Sequence, residues 1–213
     1  MTVSRLAHAV ETGALAVDPA ARAVAFGPAP GADLSPLPPD TALVLRDRVA
    51  WDAFAAAGYR TLTAPEGAYD LALVTLPRAK DWARGLVHAG AAALAEGGLL
   101  VIDGAKDDGI ESLLRDLRRR LAPEGVLSKA HGKLVWLRGG PAAAAALADW
   151  ALPDGPVPGP EGFLTYPGVF SADRVDPGSA ALAAVLPARL PARVADLGAG
   201  WGYLSRAVLA REG

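Results

Sequence analysis

The chain has 213 residues, with 21 Lys and Arg against 23 Asp and Glu, and no cysteine. A net charge of −2 excludes nucleic-acid binding through bulk positive charge and leaves only a local patch for such contact. The lack of cysteine excludes disulfides, thiolate metal sites and a Cys nucleophile, and fits a reducing compartment. Apolar types make up 52% of the chain and charged types 21%, a globular composition. With no export segment and no apolar run of ~20 residues, a soluble cytoplasmic protein is expected.

Residues 6–15 read as a short amphipathic helix with Ser4 as N-cap. Short apolar runs at 23–26 and 42–45 read as strands. Residues 51–57 look helical and stop at Gly58, a C′ residue. Residues 59–63 and the almost wholly apolar 69–75 predict two more strands, the second covered on both faces. A helix over 79–95 closes at Gly97 and Gly98, and a buried strand over 99–102 follows. Residues 108–121 carry the clearest helical stripe: Ile110, Leu113, Leu114, Leu117 and Leu121. Two final strands fall at 126–128 and 133–137. Strands alternating with helices predict an α/β domain of Rossmann-like type, its sheet mainly parallel and its helices on both faces, over residues 1–140.

Residues 141–162 break the pattern. A Gly-Gly-Pro step and an Ala-rich stub lead into four Pro and three Gly between Pro153 and Gly162, so a linker is expected here. A second unit is expected over 163–213. Its strongest feature is ARVADLGAGWGYLSRAVLA, residues 192–210. A short strand at Val194 to Leu197, with Asp196 near its carboxyl end, would feed a turn made by Gly198, Gly200 and Gly202. A helix over 203–210 would follow. Alternate glycines let a ligand approach the backbone where a Cβ would collide, and the following helix offers free N–H groups. A dinucleotide fingerprint needs its third Gly at position 203, which is Tyr. A nicotinamide-dependent oxidoreductase is thereby disfavoured.

Asp-x-Gly-x-Gly-x-Gly instead resembles the first motif of class I S-adenosylmethionine-dependent methyltransferases. The upstream segment YPGVFSADRVDPGSAA, residues 166–181, is similar to the stretch before that motif in the small-domain methyltransferases acting on guanine N2 of small-subunit ribosomal RNA. Those proteins show Gly-Val-Phe-Ser, then Asp-x-Gly-Ser or Asp-x-Gly-Thr. The matching residues here are Gly168, Val169, Phe170, Ser171, Asp176, Gly178 and Ser179. The resemblance implies S-adenosylmethionine as cofactor. Its binding residues would be Asp196, Gly198, Gly200 and Gly202 with Phe170, Ser171 and Asp176. Phe170 suits core packing equally well, and Asp176 suits capping a helix that begins near Ser179. Trp201 is compatible with lining a pocket or with packing on a neighbour.

An internal repeat points to duplication. VAFGPAPGADLS, residues 24–35, and VADLGAGWGYLS, residues 194–205, agree at 5 of 12 ungapped positions. In the first copy Pro28, Pro30 and Ala32 stand for the three glycines and Phe26 for Asp196, so that copy should not hold the cofactor. The resemblance likewise implies a degenerate first methyltransferase-like domain that helps bind RNA. It also implies an Asn-Pro-Pro loop after the fourth strand, orienting the amino nitrogen for direct attack on the sulfonium methyl. Thr75, Leu76 and Pro77 occupy that place in the first copy. The second copy shows neither this loop nor an acidic residue for the ribose hydroxyls after Gly202. No catalytic residue is therefore assigned, and the chain is expected to be a truncated, inactive piece of a longer enzyme with weak or absent cofactor binding. The alternative is a non-catalytic RNA-docking or folding-aid module with a vestigial loop.

Residues 115–133 hold six Lys and Arg against Asp116 and Glu124. Arg115, Arg118, Arg119, Lys129 and Lys133 are candidate contacts to small-subunit ribosomal RNA, or else the solvated side of a helix. His8, His88 and His131 lack metal-ligand spacing, so no metal is expected. Nothing in the sequence sets the oligomeric state.

Overall fold

The computed structural model describes residues 4–211 and separates into two compact units, 1–151 and 152–213. In the first, α1 (Arg5–Glu11) starts where the Ser4 hydroxyl accepts the Ala7 N–H at 3.1 Å. Strands β1 (Ala23–Phe26) and β2 (Ala42–Val44) follow, then α2 (Arg48–Ala56), β3 (Thr61–Leu62) and β4 (Tyr69–Thr75). Next come α3 (Lys80–Ala92), β5 (Leu94–Ala105), α4 (Ile110–Leu117), β6 (Gly125–Lys129), β7 (Gly132–Arg138) and α5 (Pro141–Ala146).

The seven strands form one sheet in the order β3-β2-β1-β4-β5-β7-β6. β1 to β5 are parallel to their neighbours, while β6 and β7 form an antiparallel hairpin on the edge. The α/β expectation therefore holds, and the sheet is mainly parallel. β1 is buried at every position because helices or loops cover both its faces. Two apolar clusters fill the layers. One joins Val24, Phe26, Val74, Ile102 and the Ile110–Leu113–Leu114–Leu117 stripe of α4. The other joins Leu6, Leu43, Leu71, Leu73 and Val101. Among the described residues no helix is long and apolar enough to cross a membrane.

Three boundaries differ from the sequence reading. β5 starts at Leu94, so Gly97 and Gly98 lie inside a strand and do not close α3. Gly97 takes φ +73° just where the β4–β5 register shifts, so the glycines make an irregularity in the ladder rather than a helix cap. α2 begins three residues before the expected start because Asp47 caps it, its carboxylate accepting the Ala50 N–H at 2.7 Å. Residues 141–150, assigned to the linker, instead form α5 and a further turn that belong to the first unit. Leu147 and Trp150 are buried there, with the Arg84 and Arg120 guanidiniums 5.4 and 5.1 Å from the Trp150 ring. An apolar face on the Ala-rich stub explains the difference: once helical, it has core to cover.

At the edge hairpin, Ala130 and His131 form a two-residue turn with φ of +47° and +52°. Such turns favour Asn-Gly, so these side chains sit in strained backbone. The Arg5 guanidinium reaches the same place. It donates to the Ala130 carbonyl at 3.3 Å and pairs with Asp103 at 2.5 Å. Burial pushes the Asp103 carboxyl above its usual range, against the opposing pull of Arg5. A raised folded-state value means that the ionised carboxylate costs stability once the pH climbs past it. Arg5→Met removes the cation that offsets this cost. It should lower stability by about 2 kcal/mol near pH 8 and by clearly less near pH 4, where the carboxyl protonates. Urea midpoints measured at the two pH values check this.

The second unit contains a two-strand ribbon, β8 (Val157–Pro158) with β9 (Leu164–Thr165), and two helices, α6 (Pro177–Val185) and α7 (Tyr203–Leu209). The strand expected at Val194 to Leu197 does not form. Leu197 is 92% exposed and Val194 48%. A strand persists only when its N–H and C=O groups meet a neighbour, and no described residue pairs with this segment. The two repeat copies thus differ locally: residues 24–35 give a strand without a helix, and residues 194–205 give the start of a helix without a strand.

Candidate functional site

Asp176 and Asp196 reach the site from two segments of the second unit that lie twenty residues apart in sequence. Asp176 precedes Pro177, which is pre-shaped for the first turn of α6. Its carboxylate accepts the Ser179 N–H at 2.8 Å and the Ser179 hydroxyl at 3.2 Å, so the capping role is real. Asp196 lies ahead of the glycine turn and accepts the Ser205 hydroxyl at 2.7 Å, which ties the turn to the first helical residues of α7.

Gly198, Gly200 and Gly202 take φ of +78°, +58° and +96°, a region that side chains rarely adopt. Where a Cβ would stand, Gly198 has open space and Gly200 meets only a carbonyl oxygen 4.0 Å away. The turn is therefore a bare backbone surface. Ser171 also has positive φ, +52°, and its carbonyl accepts the Trp201 indole N–H at 3.0 Å. Trp201 in turn packs on Phe163 and Tyr203, with ring centres 4.9 and 5.7 Å apart. It joins the 163–171 segment to the glycine turn.

Phe170, Ser171, Asp176, Asp196, Gly198 and Gly200 line one cavity of about 70 Å³, together with Ser179, Ala199, Trp201, Tyr203 and Leu204. Of the residues expected here, Gly202 alone is absent from the wall; the Phe163 ring lies 3.5 Å from where its Cβ would stand. Phe170 is 69% exposed, so it is not a core residue. Ser179 is the capping partner expected for Asp176, whereas Ser205 was not expected as the partner of Asp196. The signal for Ser205 was present, since it is one of the identities in the repeat. A pair of carboxylates beside a bare glycine turn and aromatic rings suits a ligand with an amine or hydroxyls and a flat heterocycle. The cavity itself is smaller than the ~300 Å³ from which small-molecule sites usually begin. α7, seven residues long, adds little dipole.

The basic residues of the first unit divide in two. Arg115, Arg118 and Arg119 follow one another on α4 and the turn after it, all exposed. Arg119 pairs with Asp116 at 3.6 Å, and Arg84 also binds Asp116, holding its carboxyl below the usual range. Arg115 and Arg118 make no ion pair among the described residues. Lys129 and Lys133 lie instead at the edge hairpin, around a cavity of about 310 Å³ shared with Lys106 and His131. Lys133 is engaged by Glu111 at 3.3 Å and donates to Ser128 at 2.9 Å. In the first copy, Leu76 is buried and its N–H donates to the Asp103 carbonyl, so that loop packs into the core.

Residues 161–213 match the family model described as methyltransferase small domain. The ribosomal RNA small subunit methyltransferase C of Pseudomonas putida KT2440 is 34% identical over 158 residues, covering 71% of this chain and 46% of that protein. The protein of the same name from Shewanella baltica OS195 is 34% identical over 149 residues, covering 66% and 42%. Among solved structures, the T. thermophilus 16S rRNA N2 G1207 methyltransferase RsmC, in complex with AdoMet and guanosine, is similar at a TM-score of 0.56. It is 25% identical, over 75% of this chain and 47% of that one. The chain spans about half the length of the curated relatives it matches.

Proposed function

We propose, from the match of residues 161–213 to the methyltransferase small-domain model, that this chain contributes part of an S-adenosylmethionine-dependent methyltransferase acting on guanine N2 of small-subunit ribosomal RNA. The observation that carries the reading is the meeting of Asp176, Asp196, Gly198 and Gly200 around one cavity, although twenty residues of sequence separate the two carboxylates. When bound, the cofactor supplies an electrophilic methyl group. The glycine turn would let the ligand lie against backbone. Asp196 would accept a hydrogen bond from its amine, held in place by the Ser205 hydroxyl. Phe170 and Trp201 would cover flat surface, and Ser171 and Asp176 would close the side. Positioning of this kind accounts for most of the rate in a direct displacement.

The first unit, with Pro28 and Pro30 where the second has Gly198 and Gly200, acts as a degenerate methyltransferase-like support. The unpaired Arg115 and Arg118, with Arg119, Lys129 and Lys133, supply its phosphate contacts to the RNA. A cytoplasmic location follows from that substrate.

One observation favours a rival, a non-catalytic docking module: the cavity is only about 70 Å³. Joining the chain to the unmatched remainder of the Pseudomonas putida relative decides between them. Transfer of a labelled methyl group to guanine N2 of a small-subunit RNA transcript is expected. A folded fusion that neither binds S-adenosylmethionine in calorimetry nor labels the RNA would establish the docking module instead.

A further inference from the structure

The first unit has its own cleft, independent of the site in the second. The sheet order turns back at β1: the chain runs outward through β2 and β3, then returns to β4 on the other side of β1. Ligands of open α/β sheets bind outside the carboxyl ends of the strands at such a point. Here Gly27 and Pro28 leave β1, Arg46 and Asp47 leave β2, and Trp82 comes from α3. They enclose a cavity of about 290 Å³, roughly four times the cavity of the second unit.

We propose that this cleft binds a neutral ribonucleoside. The Arg46 guanidinium lies 4.9 Å from the Trp82 ring centre, and the pair forms a flat platform on which a base can stack. Asp47 stands at the carboxyl end of the second strand, about twenty residues after Gly27, the place from which a carboxylate accepts ribose hydroxyls. One of its oxygens caps Ala50, and the other has no hydrogen-bond partner among the described residues. The prolines set the ligand class. Pro28 and Pro30 have no N–H to offer, so the loop presents fewer donors to a phosphate than a glycine turn does, and Asp47 repels one. Phosphorylated nucleotides are therefore disfavoured.

Calorimetric titration of the whole chain with adenosine, 2′-deoxyadenosine and AMP tests the assignment. Saturable adenosine binding at about 1 mM or tighter is expected, with the other two ligands weaker by about tenfold. Asp47→Ser retains a capping hydroxyl but removes the carboxylate, and Trp82→Leu removes the platform. Each should weaken adenosine by about tenfold while the circular dichroism spectrum is kept. Asp196→Ala, in the other unit, should leave adenosine binding unchanged. The proposal is overturned if adenosine does not bind, if AMP binds as tightly, or if Asp196→Ala abolishes binding that Asp47→Ser leaves intact.

Discussion

Gly140→Val lowers the stability of the first unit by about 4 kcal/mol, read as a shift of its urea midpoint with the slope unchanged. Two costs combine. Gly140 takes φ +108° and ψ −173°, a combination that costs other residues about 1–3 kcal/mol. A Cβ there would stand 2.8 Å from the Ala95 carbonyl oxygen and 2.9 Å from the Glu96 Cα. Both are backbone atoms and cannot swing aside, so overpacking adds about 1–3 kcal/mol. The Gly140 N–H also donates to the Ala91 carbonyl at 3.1 Å, fixing α5 against the end of α3. Gly31→Val, in the same unit at φ +79° but with nothing near its Cβ, isolates the backbone cost and should lose only about 1–2 kcal/mol.

Gly140 also shows where sequence reading reaches its limit. Gly139–Gly140–Pro141 has the composition of a linker, and composition cannot reveal that the next ten residues bury Leu147 and Trp150. The Gly97–Gly98 pair failed for the same reason. A glycine reports freedom of φ, and a helix end or a strand irregularity can use it equally well. Where a pattern reflects burial directly, the reading held: the 69–75 run is a central strand and the α4 stripe is buried at Ile110, Leu113, Leu114 and Leu117. In the second unit, residue identity carried more than periodicity did. The glycine turn was legible because alternate glycines are unusual, and the two acids were singled out through the resemblance to the methyltransferase motifs. The strand between them was not, because a strand needs a partner that its own residues cannot specify.

Asp196→Ala, placed in the fusion proposed to carry out methyl transfer, should lower kcat/KM by about a hundredfold, mostly through a higher KM for S-adenosylmethionine. The Asp196 carboxylate sits among the cavity residues, and among the described residues its hydrogen-bond partner is the Ser205 hydroxyl. One charge-assisted hydrogen bond to the ligand is worth about 1.5–3 kcal/mol, and every 1.36 kcal/mol is a factor of ten in rate. Asp196→Asn preserves the hydrogen bond with Ser205 and loses only the charge, so it should fall between the two. Ser205→Ala separates positioning from contact: it frees the carboxylate without removing it and should cost about tenfold or less. Asp176→Ala removes the cap of α6 as well, and there a lower melting temperature should accompany any loss of affinity. If Asp196→Ala and Ser205→Ala raised the cofactor KM to the same extent, the carboxylate would act only as a strut for the glycine turn, and cofactor recognition would have to be sought in Phe170, Ser171 and Trp201.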